Sequence, residues 1–257
     1  MDLPAPTKPP RIKRWLPYWA VLQMDVQQTL RSWVFRVWAL TSVLLSLGYL
    51  LHRTAIHHQA GILQSAASLM SELLQFTLLV GTTLVIVLTA GAISSERGTM
   101  ADSVLSRGIS RYQYFLGKWH ARLVTILGTF LFVGAIALIG SCVLLQSDLS
   151  LGGSLMALLL VAAVLAVVVS AGVTVSALCQ STVLGIAVLW MLLHGLGVAL
   201  AVLQVGQLNP ARLFRILPAL LRGQYDLEMQ AILVGWCLLA SVGAALIGLL
   251  HFSRCDV

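Results

Sequence analysis

Charge is sparse in this chain of 257 residues, at 10% of positions, and much of it falls in one stretch. Ile93–Arg122 carries Glu96, Arg97, Asp102, Arg107, Arg111, Lys118 and Arg122, so bases outnumber acids there by five to two. Guanidinium and ammonium groups in this density suit recognition: they pair with carboxylates of a partner or with anionic lipid headgroups. Leu105, Ile109, Tyr112 and Tyr114 lie between them as apolar anchors of the kind that dominate protein interfaces. The chemistry this stretch offers is docking.

The rest of the chain adds little reactive chemistry. Gly117-Lys118 is followed by Trp119, and Gly108 stands at the wrong spacing for a phosphate-binding G-x-x-x-x-G-K-[ST], so no nucleotide is held by that loop. Neither H-E-x-x-H nor G-x-S-x-G occurs, which leaves intramembrane proteolysis and hydrolase chemistry without a catalyst. His194 is a lone histidine in an apolar run, near Gly195 and Gly197, and is expected to hydrogen-bond a neighbouring helix. His52, His57 and His58 have neither carboxylate nor thiol beside them, and Cys142, Cys179, Cys237 and Cys255 are scattered, so no metal site or disulfide framework is expected. The chain itself calls for no cofactor.

Composition explains where such residues must be held. The chain is 59% hydrophobic with a mean hydropathy of +0.93, whereas soluble domains are about a quarter charged. It reads as an all-α integral membrane protein. A net charge of +7 would point to nucleic acid in a soluble protein. Here the bases sit at the ends of apolar runs and report topology and anionic lipid contact instead, so no nucleic-acid partner is expected.

The periodicity predicts the following order. Residues 1–14 are Pro-rich and basic and read as a flexible cytoplasmic tail; no short apolar core with a cleavage site follows, so a secretory signal is not expected. Residues 15–32 carry Trp15, Trp19, Leu22, Val26 and Leu30 at helical spacing opposite Gln and Arg, which predicts an amphipathic interfacial helix. Residues 33–257 hold six apolar runs, at Trp33–Leu51, Leu73–Ile93, Leu123–Leu145, Ser154–Leu178, Val183–Leu203 and Ala231–Phe252, each near the ~20 residues that cross a bilayer. A loop over 94–122 joins the second and third runs, with short helices expected at Ala101–Leu105 and Tyr112–Lys118 and Ser110 capping the latter. Segments 61–75 and 208–230 read as outer amphipathic or re-entrant pieces. Twelve Lys and Arg lie on the side of the loop and the two termini, against Arg53, Arg212, Arg215 and Arg222 on the other, so loop and termini are expected in the cytoplasm.

The loop resembles a known pattern. Glu96-Arg97-Gly98-Thr99, Leu105-Ser106-Arg107, Ile109-Ser110-Arg111 and Leu116-Gly117-Lys118 are similar to the first cytoplasmic loop of type-2 ATP-binding-cassette (ABC) transporter permeases. Asn209-Pro210 resembles the N-P stretch after that family's fifth span, and Phe252-Ser253-Arg254-Cys255-Asp256-Val257 resembles its F-x-R-x-D ending. Gly108 stands where the family commonly has Pro. The subgroup suggested is the permease type of nitrous-oxide-reductase maturation and related small exporters.

The resemblance implies a type-2 ABC exporter-like fold in the inner or plasma membrane. It further implies a second permease copy or homologue, two ABC ATPase subunits that carry ATP and Mg, and no ATPase site on this chain. Glu96, Arg97, Gly98, Thr99, Leu105, Arg107, Ser110, Arg111, Tyr114, Gly117 and Lys118 are then the loop that couples ATP hydrolysis to export, with Arg107, Arg111 and Lys118 pairing with acids of the ATPase. The alternative from a different class is a non-transporting anchor or assembly scaffold that recruits a soluble partner through the same loop.

Overall fold

The computed structural model describes residues 15–60, 65–96, 109–144, 148–202 and 210–254. The described residues form eight α-helices: α1 (Leu16–Arg31), α2 (Trp33–Ala60), α3 (Ala66–Ala90), α4 (Arg111–Leu144), α5 (Leu151–Leu178), α6 (Thr182–Val202), α7 (Pro210–Leu221) and α8 (Leu227–Arg254), with a single 3-10 turn at Ser94–Glu96. Six of them, α2, α3, α4, α5, α6 and α8, are long and apolar enough to cross a membrane. We call the end where α3 leads out and α4 leads back the loop end, and the opposite end the far end.

Local signals explain most boundaries. Pro17 lies in the first turn of α1, where its missing N–H costs nothing. Ser32 then leaves the helical region (φ −64°, ψ 138°); its hydroxyl donates to Thr29 O and accepts from Phe35 N–H, at 2.8 and 3.2 Å. One serine thus ends α1 and starts α2. At the far end Ser65 caps α3 by accepting from Ser68 N–H. Asp148, from the α4–α5 link, accepts from Ala67 N–H at 3.0 Å and from the Ser65 hydroxyl at 2.5 Å. Two donors that α3 cannot satisfy internally are met this way.

The runs Trp33–Leu51, Ser154–Leu178 and Ala231–Phe252 lie within longer helices, Leu73–Ile93 runs three residues past the end of α3, and the last residues of the other two runs, Leu145 and Leu203, lie outside the described residues. Segment 61–75 does not form a separate outer helix where it is described: residues 66–75 are the first turns of α3, which has no Gly or Pro to interrupt it before Gly81. Tyr112–Lys118 is likewise not a short helix of its own but the opening of a helix that runs unbroken to Leu144. Ala101–Leu105 lies outside the described residues, as does the 1–14 tail. In 208–230 the structure places α7 and the first turn of α8, joined by a turn in which Gly223 has φ +81°, a conformation that favours glycine.

α5 is the hub. Of its most apolar stretch 67% is buried, against 12% for α6. Small residues let its neighbours approach. A Cβ on Gly172 would fall 1.9 Å from Thr89 Oγ1 of α3, and one on Gly153 would fall 2.0 Å from Leu220 O of α7. Hydroxyls on α5 stitch it to α8: Ser170 to Ser241 at 2.7 Å and Thr174 to Ala244 O at 2.7 Å. Such pairs and close approaches substitute for the hydrophobic drive that apolar surroundings remove. The core runs from Met70, Leu74, Phe130 and Leu160 at the far end, through Ile86, Ile126 and Val169, to Ile93, Phe115 and Phe252 at the loop end.

Candidate functional site

At the loop end three helices meet around buried charge. Tyr114, Lys118 and Arg122 recur every four residues and so share one face of α4. That face looks at α1, whose Val21, Asp25 and Thr29 recur at the same step and are all buried. Gly117 makes the approach possible, since a Cβ there would lie 2.8 Å from Val21 Cγ1. Lys118 Nζ donates to Asp25 Oδ1 at 2.7 Å and to Glu96 Oε1 at 2.6 Å. Arg122 Nε pairs with Asp25 Oδ2 at 3.1 Å, and its Nη2 donates to Oδ1 at 3.3 Å. The Tyr114 hydroxyl donates to Glu96 Oε2 at 2.5 Å.

Among the described residues two carboxylates therefore face two cations, and that set is formally neutral. Asp25, Lys118 and Arg122 are 1%, 3% and 9% exposed. Charges this deep persist only when paired and hydrogen-bonded, because loss of hydration would otherwise neutralise or expel them. Glu96 is the exception, half-buried at the mouth where the chain leaves the 3-10 turn.

The start of the loop is fixed by a second set of bonds. Ser176 Oγ of α5 accepts from the N–H groups of Ile93 and Ser94, at 2.9 and 3.0 Å. Ser94 Oγ lies 3.0 Å from Thr182 Oγ1 at the start of α6. On the other side Phe252 of α8 stacks on Tyr114 at 6.2 Å and leans on Phe115 at 6.3 Å. Both roots of the loop are thus tied to the helix body before the chain departs.

The residues singled out in the sequence divide in three. Glu96, Tyr114, Gly117 and Lys118 come together in the cluster. Ser110 and Arg111 stand at the head of α4. The Ser110 hydroxyl is buried without a hydrogen-bond partner among the described residues, and the cap is completed instead by Gln113, whose side-chain oxygen accepts from Ser110 N–H at 3.3 Å. Arg97, Gly98, Thr99, Leu105 and Arg107 lie outside the described residues, as does Asn209; Pro210 is the first residue of α7.

Two expectations change. Lys118 and Tyr114 were placed on a face offered to a partner, yet both point into the chain and are 3% exposed. The reason is electrostatic: an ammonium in apolar surroundings is held where two carboxylates neutralise it. Among the described residues His194 bonds no neighbouring helix; its Nδ1 lies 3.2 Å from Trp190 O one turn back, and its ring stacks on Trp190 at 4.6 Å.

On α1, Trp15, Trp19 and Leu30 are exposed while Leu22 and Val26 are half-buried beside the α4-facing side. The apolar stripe therefore adjoins the buried one, and its Trp15, Trp19 and Leu30 are not covered by the other described residues.

Sequence reading missed Asp25 and gave Arg122 no role. A signal was present: Asp25 is the sole acid between Asp2 and Glu72. Its importance is invisible without knowing which base, some ninety residues on, lies opposite.

No protein-family model matches the chain, and no curated protein matches it.

Proposed function

We propose that the chain is the membrane-spanning permease subunit of an ATP-driven exporter of the type-2 ABC kind. It works as a dimer with a second copy or a homologue, with termini and loop in the cytoplasm of a cell or inner membrane. The motor is a pair of separate ATPase subunits that bind ATP and Mg. They grip the loop over 94–122.

One observation carries this reading: the loop springs from a rigid junction. Asp25, Glu96 and Lys118 pin α1, the 3-10 turn that follows α3 and the start of α4 to one another with bonds of 2.6–2.7 Å. A force applied to the loop is passed to three helices together, which is what a motor acting on a membrane domain requires. Where the loop is described, Tyr112 is its large exposed side chain, 55% accessible at the head of α4. With Lys118 and Tyr114 turned inward, the contacts to the motor fall to Tyr112 and to the basic residues Arg97 and Arg107. The uncovered Trp15–Trp19–Leu30 stripe of α1 suits the headgroup layer beside the junction.

The test is biochemical. The full chain, purified in mild detergent, is expected to bring with it a polypeptide with a phosphate-binding loop. Glu96→Gln and Arg107→Ala are expected to lower that partner's ATP turnover while the complex stays intact. Unchanged turnover in intact complexes would favour the scaffold reading. A particle that never contains an ATP-binding chain would end the proposal.

A further inference from the structure

A groove of about 360 Å3 runs between α2 and α3. Its walls are mostly apolar, from Trp38 and Leu45 on α2 to Phe76, Val80 and Gly81 on α3, with Thr41, Ser42, Ser46 and Thr77 among them. Its far end is closed by a polar bridge. Tyr49 donates its hydroxyl to Glu72 Oε2, and Arg53 Nη2 bonds both Glu72 Oε2 and the Tyr49 oxygen at 2.9 Å. The side chains of Arg53 and Glu72 remain 32% and 50% exposed. A cation and an anion are therefore presented side by side at the mouth of an apolar slot.

Its dimensions decide what fits. From Trp38 to Tyr49 the groove follows α2 for eleven residues, about 16 Å. A slot of that length between two spans suits an extended hydrocarbon chain. It also falls within the ~300–1,000 Å3 of small-ligand sites.

We propose that this groove binds a zwitterionic phospholipid of the far-end leaflet. One acyl chain lies between α2 and α3 against Phe76 and Gly81. The headgroup amine meets the Glu72 carboxylate and the phosphate meets the Arg53 guanidinium. Opposite charges at adjacent positions match a zwitterion and disfavour a headgroup with net charge of either sign. This inference rests on the membrane-spanning character of α2 and α3 and is independent of the transport reading.

The experiment uses the full chain in vesicles of mixed zwitterionic and anionic phospholipid. The probe is a phosphatidylethanolamine with a photoreactive group within its acyl chain, compared with phosphatidylglycerol bearing the same chain. After illumination the labelled peptides are located by mass spectrometry. The ethanolamine probe is expected to label α2 and α3 along the groove in preference to the exposed apolar faces of α6 and α8. Gly81→Leu fills the slot from α3, where a Cβ meets only ordinary contact with Thr77 at 3.8 Å; Leu45→Trp fills it from α2. Either is expected to lower groove labelling about tenfold and leave α8 labelling unchanged. Glu72→Gln removes a charge-assisted bond and is expected to cut the ethanolamine preference about tenfold. Even labelling of all exposed faces, equal labelling by the two headgroups, or cross-links joining α2 and α3 of two copies through the slot would each overturn the proposal.

Discussion

Replacing Asp25 by Asn tests the structural reasoning most directly, because that carboxylate holds two buried cations. Its loss leaves Lys118 and Arg122 against Glu96 alone, so the cluster goes from neutral to one net positive charge. Both cations are at least nine-tenths buried, so water does not replace the lost partner. Breaking such a pair by removing one side costs about 3–5 kcal/mol, against about 0–1 kcal/mol for an exposed pair. At about 2–4 °C per kcal/mol for a chain of this size, Asp25→Asn is expected to lower Tm by roughly 6–20 °C. The assay is thermal unfolding in detergent, followed by the fluorescence of the seven tryptophans. A second substitution sharpens it. Asp25→Asn with Arg122→Met leaves only the neutral Lys118–Glu96 pair, 2.6 Å apart, so the double variant should recover much of the loss. If Asp25→Asn shifts Tm by no more than a degree or two, or if the double variant is as unstable as the two single losses added together, the account of a balanced buried cluster is wrong.

Gly117→Val would place a side chain where even a Cβ comes within 2.8 Å of Val21; overpacking of about 1–3 kcal/mol is expected. A cysteine pair at Tyr18 and His120, now joined by a 3.1 Å contact between Tyr18 OH and His120 Nδ1, should then cross-link less readily. Ser176→Ala removes the acceptor of the Ile93 and Ser94 N–H groups, and at about 1–3 kcal/mol for buried donors left unmet should raise hydrogen exchange at those two amides first. At the far end, burial works against the ionised form of Asp148, but bonds from Ser65 and Ala67 N–H and the charge of Arg222 outweigh it and hold the carboxyl below its usual range. The folded form therefore favours the carboxylate. Its contribution is present above the ordinary carboxylate pKa and is lost as pH falls through the lower folded value, below about pH 4. Asp148→Asn should flatten the acid limb of a stability–pH curve in that window, and an unchanged limb would contradict the assignment.

The helices were legible in the sequence because their causes are local. A run of some twenty apolar residues and Pro17 in a first turn each mark an element by themselves, whereas the serines at 32, 65 and 150 that set boundaries in the structure carry nothing that sets them apart from the chain's other serines. The charged island between the second and third runs was equally plain, since seven charges in thirty residues stand out in a chain that is 10% charged.

Which charges meet was decided only by the tertiary structure. Asp25 and Lys118 are 93 residues apart in sequence, and nothing in the spacing of either marks the other. Lys118 looked like a surface base because its neighbours are charged, and only the packing of α1 on α4 turns it inward. The hub was hidden for a related reason. α5 and α6 are both apolar enough to cross a membrane, yet 67% of the most apolar stretch of one and 12% of the other's is buried. In a membrane the surroundings are as apolar as the core, so hydropathy separates spans from loops but not an inner helix from an outer one. That distinction rests on where Gly153 and Gly172 let backbones close up, and on which hydroxyls find each other across the gap.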